Sequence, residues 1–292
     1  MRYRFVLLGL LLLMFVKPVY GAQSTITEAE GTACMGDDKS RKQTEEAALS
    51  DAKKKAVEYV STYLKSETQV KNFELEKDLV SAYASASVKV IQELDRSWYK
   101  DPASGDCLKL KIKAEIVPDE KAMESLSKTA AVADDPSAPL SVKAWTDKKA
   151  YKEGEKVKIY IKGNKPFYAR VLYKDASGKT VQLLPNPYRT DNYFNGGTMY
   201  EIPTGNDKFD LEVSPPFGEE NVIVYASSSP LGEISTEARG GVYQIMTRSQ
   251  DIGIKTRGIK LMEKTGGEAT ASASKPAASE FFEDKVVVKT GK

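Results

Sequence analysis

The sequence predicts an α+β N-terminal domain, a long helix packed on an antiparallel sheet, followed by an all-β domain built as an immunoglobulin-like sandwich. Three observations predict it. Apolar residues recur at steps of three and four over residues 48–64, the spacing of one helix face. They alternate one by one over residues 108–116, the period of a half-buried strand. Short alternating runs broken by Gly, Pro, Asp and Asn then fill residues 140–262, as in an antiparallel sandwich.

In chain order, Arg2 and Arg4 precede the apolar run 5–16, which ends in Lys17, Pro18 and Val19-Tyr20-Gly21. That is the order of a secretory signal peptide, and the run is too short to span a bilayer. Cleavage is expected after Gly21. No cysteine follows the run to accept a lipid, so the mature chain is expected to have no direct membrane anchor. Loss of residues 1–21 removes three of the 43 Lys+Arg and leaves 40 against 41 Asp+Glu. A near-neutral chain offers no cationic surplus for a nucleic acid, and none is expected as a partner.

The α+β domain is expected over residues 22–129. Residues 25–33 read as a strand. Ser40-Arg41-Lys42-Gln43 has capping-box spacing, and behind it Ala48, Leu49, Ala52, Ala56, Val57, Val60, Tyr63 and Leu64 form the apolar stripe, its alanines small enough for close seating on a sheet. Val88, Val90 and Leu94 begin a strand that Asp101-Pro102-Ala103-Ser104-Gly105-Asp106 turns into the alternating strand over 108–116. A short helix is expected over 120–129 and a linker over 130–139. In the sandwich, 140–262, Asp175-Ala176-Ser177-Gly178 separates two strand signals as a hairpin turn. Residues 263–280 are of low complexity, and residues 281–292 form a terminal strand expected to dock on a sheet edge, with exchange onto a partner as the alternative.

The composition excludes much chemistry. There is no histidine, hence no Ser-His-Asp or Cys-His nucleophile pair and no histidine-based metal site. Two cysteines cannot hold a structural zinc or an iron–sulfur cluster unaided, and no cofactor is expected. In an exported chain Cys34 and Cys107, lacking C-x-x-C spacing, are expected to form a structural disulfide. Ser50/Lys53 and Ser125/Lys128 match S-x-x-K, and Lys264-Thr265-Gly266 and Lys289-Thr290-Gly291 match K-T-G, but neither K-T-G stands on a core strand beside a serine helix. Gly178-Lys179-Thr180 lacks the first glycine of a phosphate loop, since Tyr173 stands in its place.

The segment Tyr151-Lys152-Glu153-Gly154-Glu155-Lys156-Val157, with Asn164, Tyr168, Gly178, Leu184-Pro185-Asn186, Gly196-Gly197, Ile202-Pro203 and Pro216-Phe217-Gly218, resembles the bacterial family called domain of unknown function 4384, over residues 140–231. Glu30-Gly31, residues 47–57 and the hairpin ending at Val117 resemble more loosely the N-terminal domain of flagellar assembly protein T and the Lpp-20-type lipoproteins, without the latter's lipid-accepting cysteine. The resemblance implies a Gram-negative envelope protein, periplasmic or secreted, with assembly or scaffolding roles in the relatives and no catalytic residues to carry over. Most of these signature glycines and prolines have backbone reasons. The long polar and aromatic loop 185–194 is the candidate binding site: Asn186, Tyr188, Arg189, Asn192, Tyr193 and Phe194. The expected function is a non-catalytic exported cell-envelope protein that binds other envelope components, other envelope proteins or a glycan, and supports their assembly or stability. A carbohydrate-binding module for peptidoglycan or exopolysaccharide, using Tyr188 and Tyr193 as a stacking platform, is the alternative, and a carboxylate-dependent hydrolase the second.

Overall fold

A computed structural model describes residues 22–68, 73–127, 134–258 and 278–292 of the chain. The expected leader, Lys128, Lys264-Thr265-Gly266 and residues 263–277 of the low-complexity stretch lie outside the described residues. The first half runs β1 (Ala22–Cys34), α1 (Arg41–Thr68), α2 (Phe73–Ala84), β2 (Ser87–Asp101), β3 (Gly105–Val117) and α3 (Glu120–Ser127). The second runs β4 (Val142–Thr146), β5 (Ala150–Lys152), β6 (Ile159–Gly163), β7 (Phe167–Lys174), β8 (Thr180–Leu184), β9 (Tyr193–Phe194), β10 (Met199–Ile202), β11 (Glu219–Ser227), β12 (Thr236–Arg239), β13 (Val242–Ile245) and α4 (Ser249–Thr256), before β14 (Ser279–Gly291).

The structure is strand-dominated, with one long helix near the N-terminus on a curled, largely antiparallel sheet. Strand order in the large sheet is β12-β13-β8-β7-β11-β14-β1-β3-β2, with β9 on β7 and β5 parallel to β14; β10-β6-β4 form a separate three-stranded sheet. The terminal strand β14 is the seam. Residues 279–283 pair with β1 and residues 281–289 pair with β11, so one sheet runs through both halves of the same chain.

The helix α1 starts where its capping box stands. Ser40 N–H donates to Gln43 Oε1 at 2.8 Å, and Gln43 N–H donates to Ser40 Oγ at 3.3 Å, satisfying two N-terminal donors. Its stripe Ala48, Ala52, Ala56, Val60 and Leu64 is buried against β1 and β3. The alanines let the helix approach so closely that a Cβ on Gly31 of β1 would fall on Ala48 O and Ala52 N. The sequence reading missed α2, whose buried Leu79, Ala82 and Tyr83 span little more than one turn of periodic signal; the Tyr83 hydroxyl meets Thr25 Oγ1 at 3.0 Å.

Asp101 Oδ1 accepts from Ala103 N–H and Ser104 N–H and closes the β2–β3 turn, where Gly105 takes φ +75°. On β3, Leu108, Leu110, Ile112, Ala114 and Ile116 face α1 and are buried. The opposite face is not uniformly wet, because Lys113 and Glu115 are buried as well. The Cys34–Cys107 disulfide joins the facing ends of β1 and β3. In the second half, one cluster gathers Val142, Ala144, Ile159, Ile161 and Ile202 of the small sheet with Phe167, Val171, Leu184, Val222 and Val224 of the large one. The peptide bonds before Pro185, Pro203 and Pro216 are cis.

Candidate functional site

The loop between β8 and β9 divides into residues that build it and residues that face solvent. Asn186 is buried: its Nδ2 donates to Leu183 O at 2.8 Å, and its Oδ1 accepts from the Tyr188 and Arg189 N–H groups at 2.8 Å each. This is the side-chain turn that an asparagine supplies, and it commits the amide oxygen and one of the two amide hydrogens to the loop itself. Arg189 reaches Asp207 at 3.2 Å and lies 5.6 Å over the Phe194 ring. Phe194 is fully buried between Phe167 and Tyr200. The Asn192 carbonyl accepts from Ala169 N–H at 2.8 Å, which seats the loop on β7.

Tyr188 and Tyr193 are the exposed pair, at 54% and 44%. They have different neighbours. Tyr193 meets Tyr168 edge-on at 5.1 Å, whereas Tyr188 stacks on Phe209 at 6.3 Å. Tyr188 lines a recess of about 200 Å³ with Leu183, Leu211 and Val242 as apolar wall. Lys208 and Asp210 stand there too, and Asp210 is paired with Lys156 at 2.7 Å. The β12–β13 turn borders the recess through Gly240 and Gly241, both at positive φ. A Cβ on Gly241 would meet the Tyr188 ring at 2.7 Å, so the glycine holds the ring by leaving room for it.

A second recess, of about 280 Å³, lies at the disulfide end of the first half and was not legible in the sequence. Arg41, the first residue of α1, lies 4.5 Å over the Trp98 ring, and Tyr99, Lys100 and Asp106 complete the lining with Met35. Its only sequence signal is the Trp98-Tyr99 pair at the end of β2, which local periodicity reads as ordinary strand.

The buried ionisable groups sit at the seam. Glu280 of β14 accepts from the Tyr63 hydroxyl at 3.2 Å, Lys165 Nζ at 3.1 Å and Leu140 N–H at 2.5 Å. Burial first, and the Glu280 charge second, push the Tyr63 hydroxyl far above its ordinary range. Glu115 of β3 accepts from Ser24 Oγ at 2.7 Å and from Arg257 Nε at 2.6 Å, while Arg257 also reaches Glu283 at 3.0 Å and lies 4.4 Å over Phe281. Tyr173 donates to Glu220, and Arg170, pushed down to about 10 by burial, donates to Thr256 Oγ1 at 2.9 Å. The tempting motifs are equally committed. Lys289-Thr290-Gly291 ends β14, with Gly218 N–H donating to Thr290 Oγ1, and Gly178-Lys179-Thr180 follows a turn held by Asp175 Oδ1.

No curated protein matches the chain. Among solved structures it is similar to a DUF4785 family protein from Legionella pneumophila, at 8% identity and a TM-score of 0.24, over 76% of this chain and 51% of that one. The chain thus spans about half the length of that relative. Residues 150–230, which carry the 185–194 loop and most of the Tyr188 recess, match the family model described as Domain of unknown function (DUF4384).

Proposed function

We propose that this chain is a non-catalytic protein exported to the Gram-negative cell envelope, where it binds other envelope proteins and supports their assembly or stability. The observation that carries this reading is a two-ended scaffold. The Tyr188 and Trp98 recesses lie at opposite ends of one sheet, with the four strands β7, β11, β14 and β1 between β8 and β3. Each recess presents an exposed tyrosine beside a cation, the composition of an interface anchor. The buried carboxylates Glu115, Glu220 and Glu280 are engaged with the cations and phenols that fasten elements together. In the same reading residues 1–21 are cleaved on export and the mature chain is periplasmic or secreted. The second half is then an immunoglobulin-like sandwich, supported by the two-sheet core. The first half is of the flagellar assembly protein T or Lpp-20 kind, supported by Glu30-Gly31 and residues 47–57.

The test uses a photo-crosslinking residue at position 99 or 188 of the full chain, expressed with its leader in a Gram-negative host. The expected result is a disulfide-bonded periplasmic protein beginning at Ala22, with the same adduct recovered in replicate cultures and the position-99 adduct lost on Trp98→Ala. Cytosolic retention with free thiols, or no adduct from either position, overturns the reading. A second reading, glycan binding by the second half, is favoured by one observation: Tyr188 exposes its ring at the rim of a recess that has both an apolar wall and polar groups.

A further inference from the structure

The Tyr188 recess carries chemistry specific enough to name a ligand class. Its size comes first. At about 200 Å³ it lies below the roughly 300 Å³ at which drug-sized ligand sites begin, so it takes one ring and not a length of chain. Its ring platform is fixed from two sides, by Phe209 at 6.3 Å and by the turn at Gly241, where a side chain would collide with the tyrosine. A preset aromatic surface costs little side-chain entropy on binding and favours flat contact with the C–H face of another ring.

Charge comes second. Asp210 is already paired with Lys156 at 2.7 Å, so the lining offers the Lys208 donor beside a compensated carboxylate, which suits a neutral ligand bearing a hydrogen-bond acceptor, as a hydroxylated or amide-bearing ring does. Third is the apolar wall. Any hydroxyl that a plain pyranose turned toward Leu183, Leu211 or Val242 would be buried without a partner, at a cost. An acetamido group instead offers a methyl to that wall and keeps its amide for the polar groups.

We propose that the recess between Tyr188, Phe209 and the Gly240-Gly241 turn binds a single 2-acetamido pyranose ring of a glycan. The assignment rests on the glycan reading of the second half, and it competes with the protein-docking reading for this one recess. With no enclosure on the open side, a ligand of this size binds with a dissociation constant on the order of 1 mM.

The mature, oxidised full chain is titrated with N,N′,N″-triacetylchitotriose and, separately, with cellotriose, observed by NMR. Triacetylchitotriose is expected to shift the Tyr188 resonances, and cellotriose to bind at least threefold more weakly. Tyr188→Ala should weaken the acetamido ligand by at least tenfold, and Tyr188→Phe should leave it within about threefold. Because Tyr188→Ala also removes a ring that packs on Gly241, Gly240→Asn serves as the second variant. Asparagine tolerates the φ of +57° there, and a Cβ at Gly240 meets nothing within 4 Å, so the fold is kept while the mouth is crowded. It should weaken binding at least threefold, with the melting temperature lowered by no more than a few degrees from the strain of a side chain at positive φ. Tyr193→Ala should leave binding unchanged.

Equal affinity for the two trisaccharides overturns the acetamido assignment. Binding that survives both Tyr188→Ala and Gly240→Asn overturns the site. If neither trisaccharide binds but the protein still sediments with purified sacculi, the recess is refuted and the glycan reading stands; if it does neither, both fall.

Discussion

Glu280 is the joint on which the two halves of the sheet turn, and replacing it tests the fold's central feature. It is 1% exposed on β14 and accepts from three separate parts of the chain: Tyr63 on α1, the Leu140 backbone before β4, and Lys165 between β6 and β7. Glu280→Gln keeps the shape and removes the charge. Lys165, whose side chain is 12% exposed, then faces an amide in place of its counter-ion. Breaking a buried pair by removing one partner costs about 3–5 kcal/mol, and the hydrogen bonds an amide retains place this change at about 3. For a chain of this size that lowers the melting temperature by about 6–12 °C. Lys165→Met alone should cost a similar amount by leaving the carboxylate unpaired. The double variant should cost less than the sum by about 2 kcal/mol, because neither charge is then left alone. Thermal and urea unfolding of the four proteins at pH 7 gives the cycle. A loss under about 1 kcal/mol for Glu280→Gln, or strict additivity, would refute the reasoning that this pair holds the seam.

Further expectations follow the same logic. Lys113 is 5% exposed on β3, and burial pushes it down to about 8 from 10.5, with Glu28 opposing. Between about pH 8 and pH 10.5 the unfolded chain therefore binds more protons than the folded one, so stability rises with pH through that window. Lys113→Met should stabilise the protein at pH 7 by about 1 kcal/mol and abolish the alkaline rise, read from melts at pH 7 and 9.5. The Cys34–Cys107 bridge closes a loop with a sequence separation of 73, so Cys34→Ser should cost about 4 kcal/mol in the chain-entropy model, and reductant should lower the wild-type urea midpoint to match. Gly31→Ala should cost about 1–3 kcal/mol or more by forcing α1 off the sheet, with faster amide exchange over residues 48–56, whereas Gly205→Ala, where a Cβ meets nothing, should be within about 0.5 kcal/mol of neutral.

Local features were legible in the letters alone. The capping box at Ser40 and Gln43, the alanine stripe behind it, the Asp101 and Asp175 turns and the alternation of β3 each lie within a few turns of chain, where periodicity and side-chain hydrogen bonds act directly on the backbone. The prospect of a disulfide was legible too, because two cysteines without a redox spacing have few other uses. α2 escaped because its buried Leu79, Ala82 and Tyr83, among the described side chains, lie too close together to establish a period.

Tertiary structure alone decided which strand lies beside which and which charges are buried. β14 was readable as a strand but not as the strip between β1 and β11, since a pattern of two residues says which face is apolar and nothing about which edge stands vacant. Glu115 and Arg257 are 142 residues apart, Glu280 and Leu140 are 140 apart, and by composition each charged member reads as surface. They are buried because other elements close over them, a property of the assembled sheet and not of any segment. The 185–194 loop divides for the same reason. Asn186, Arg189 and Phe194 are spent on the loop's own geometry once Leu183, Asp207 and Phe167 arrive beside them, and Tyr188 is left facing outward only because Phe209 and the Gly241 turn meet behind it.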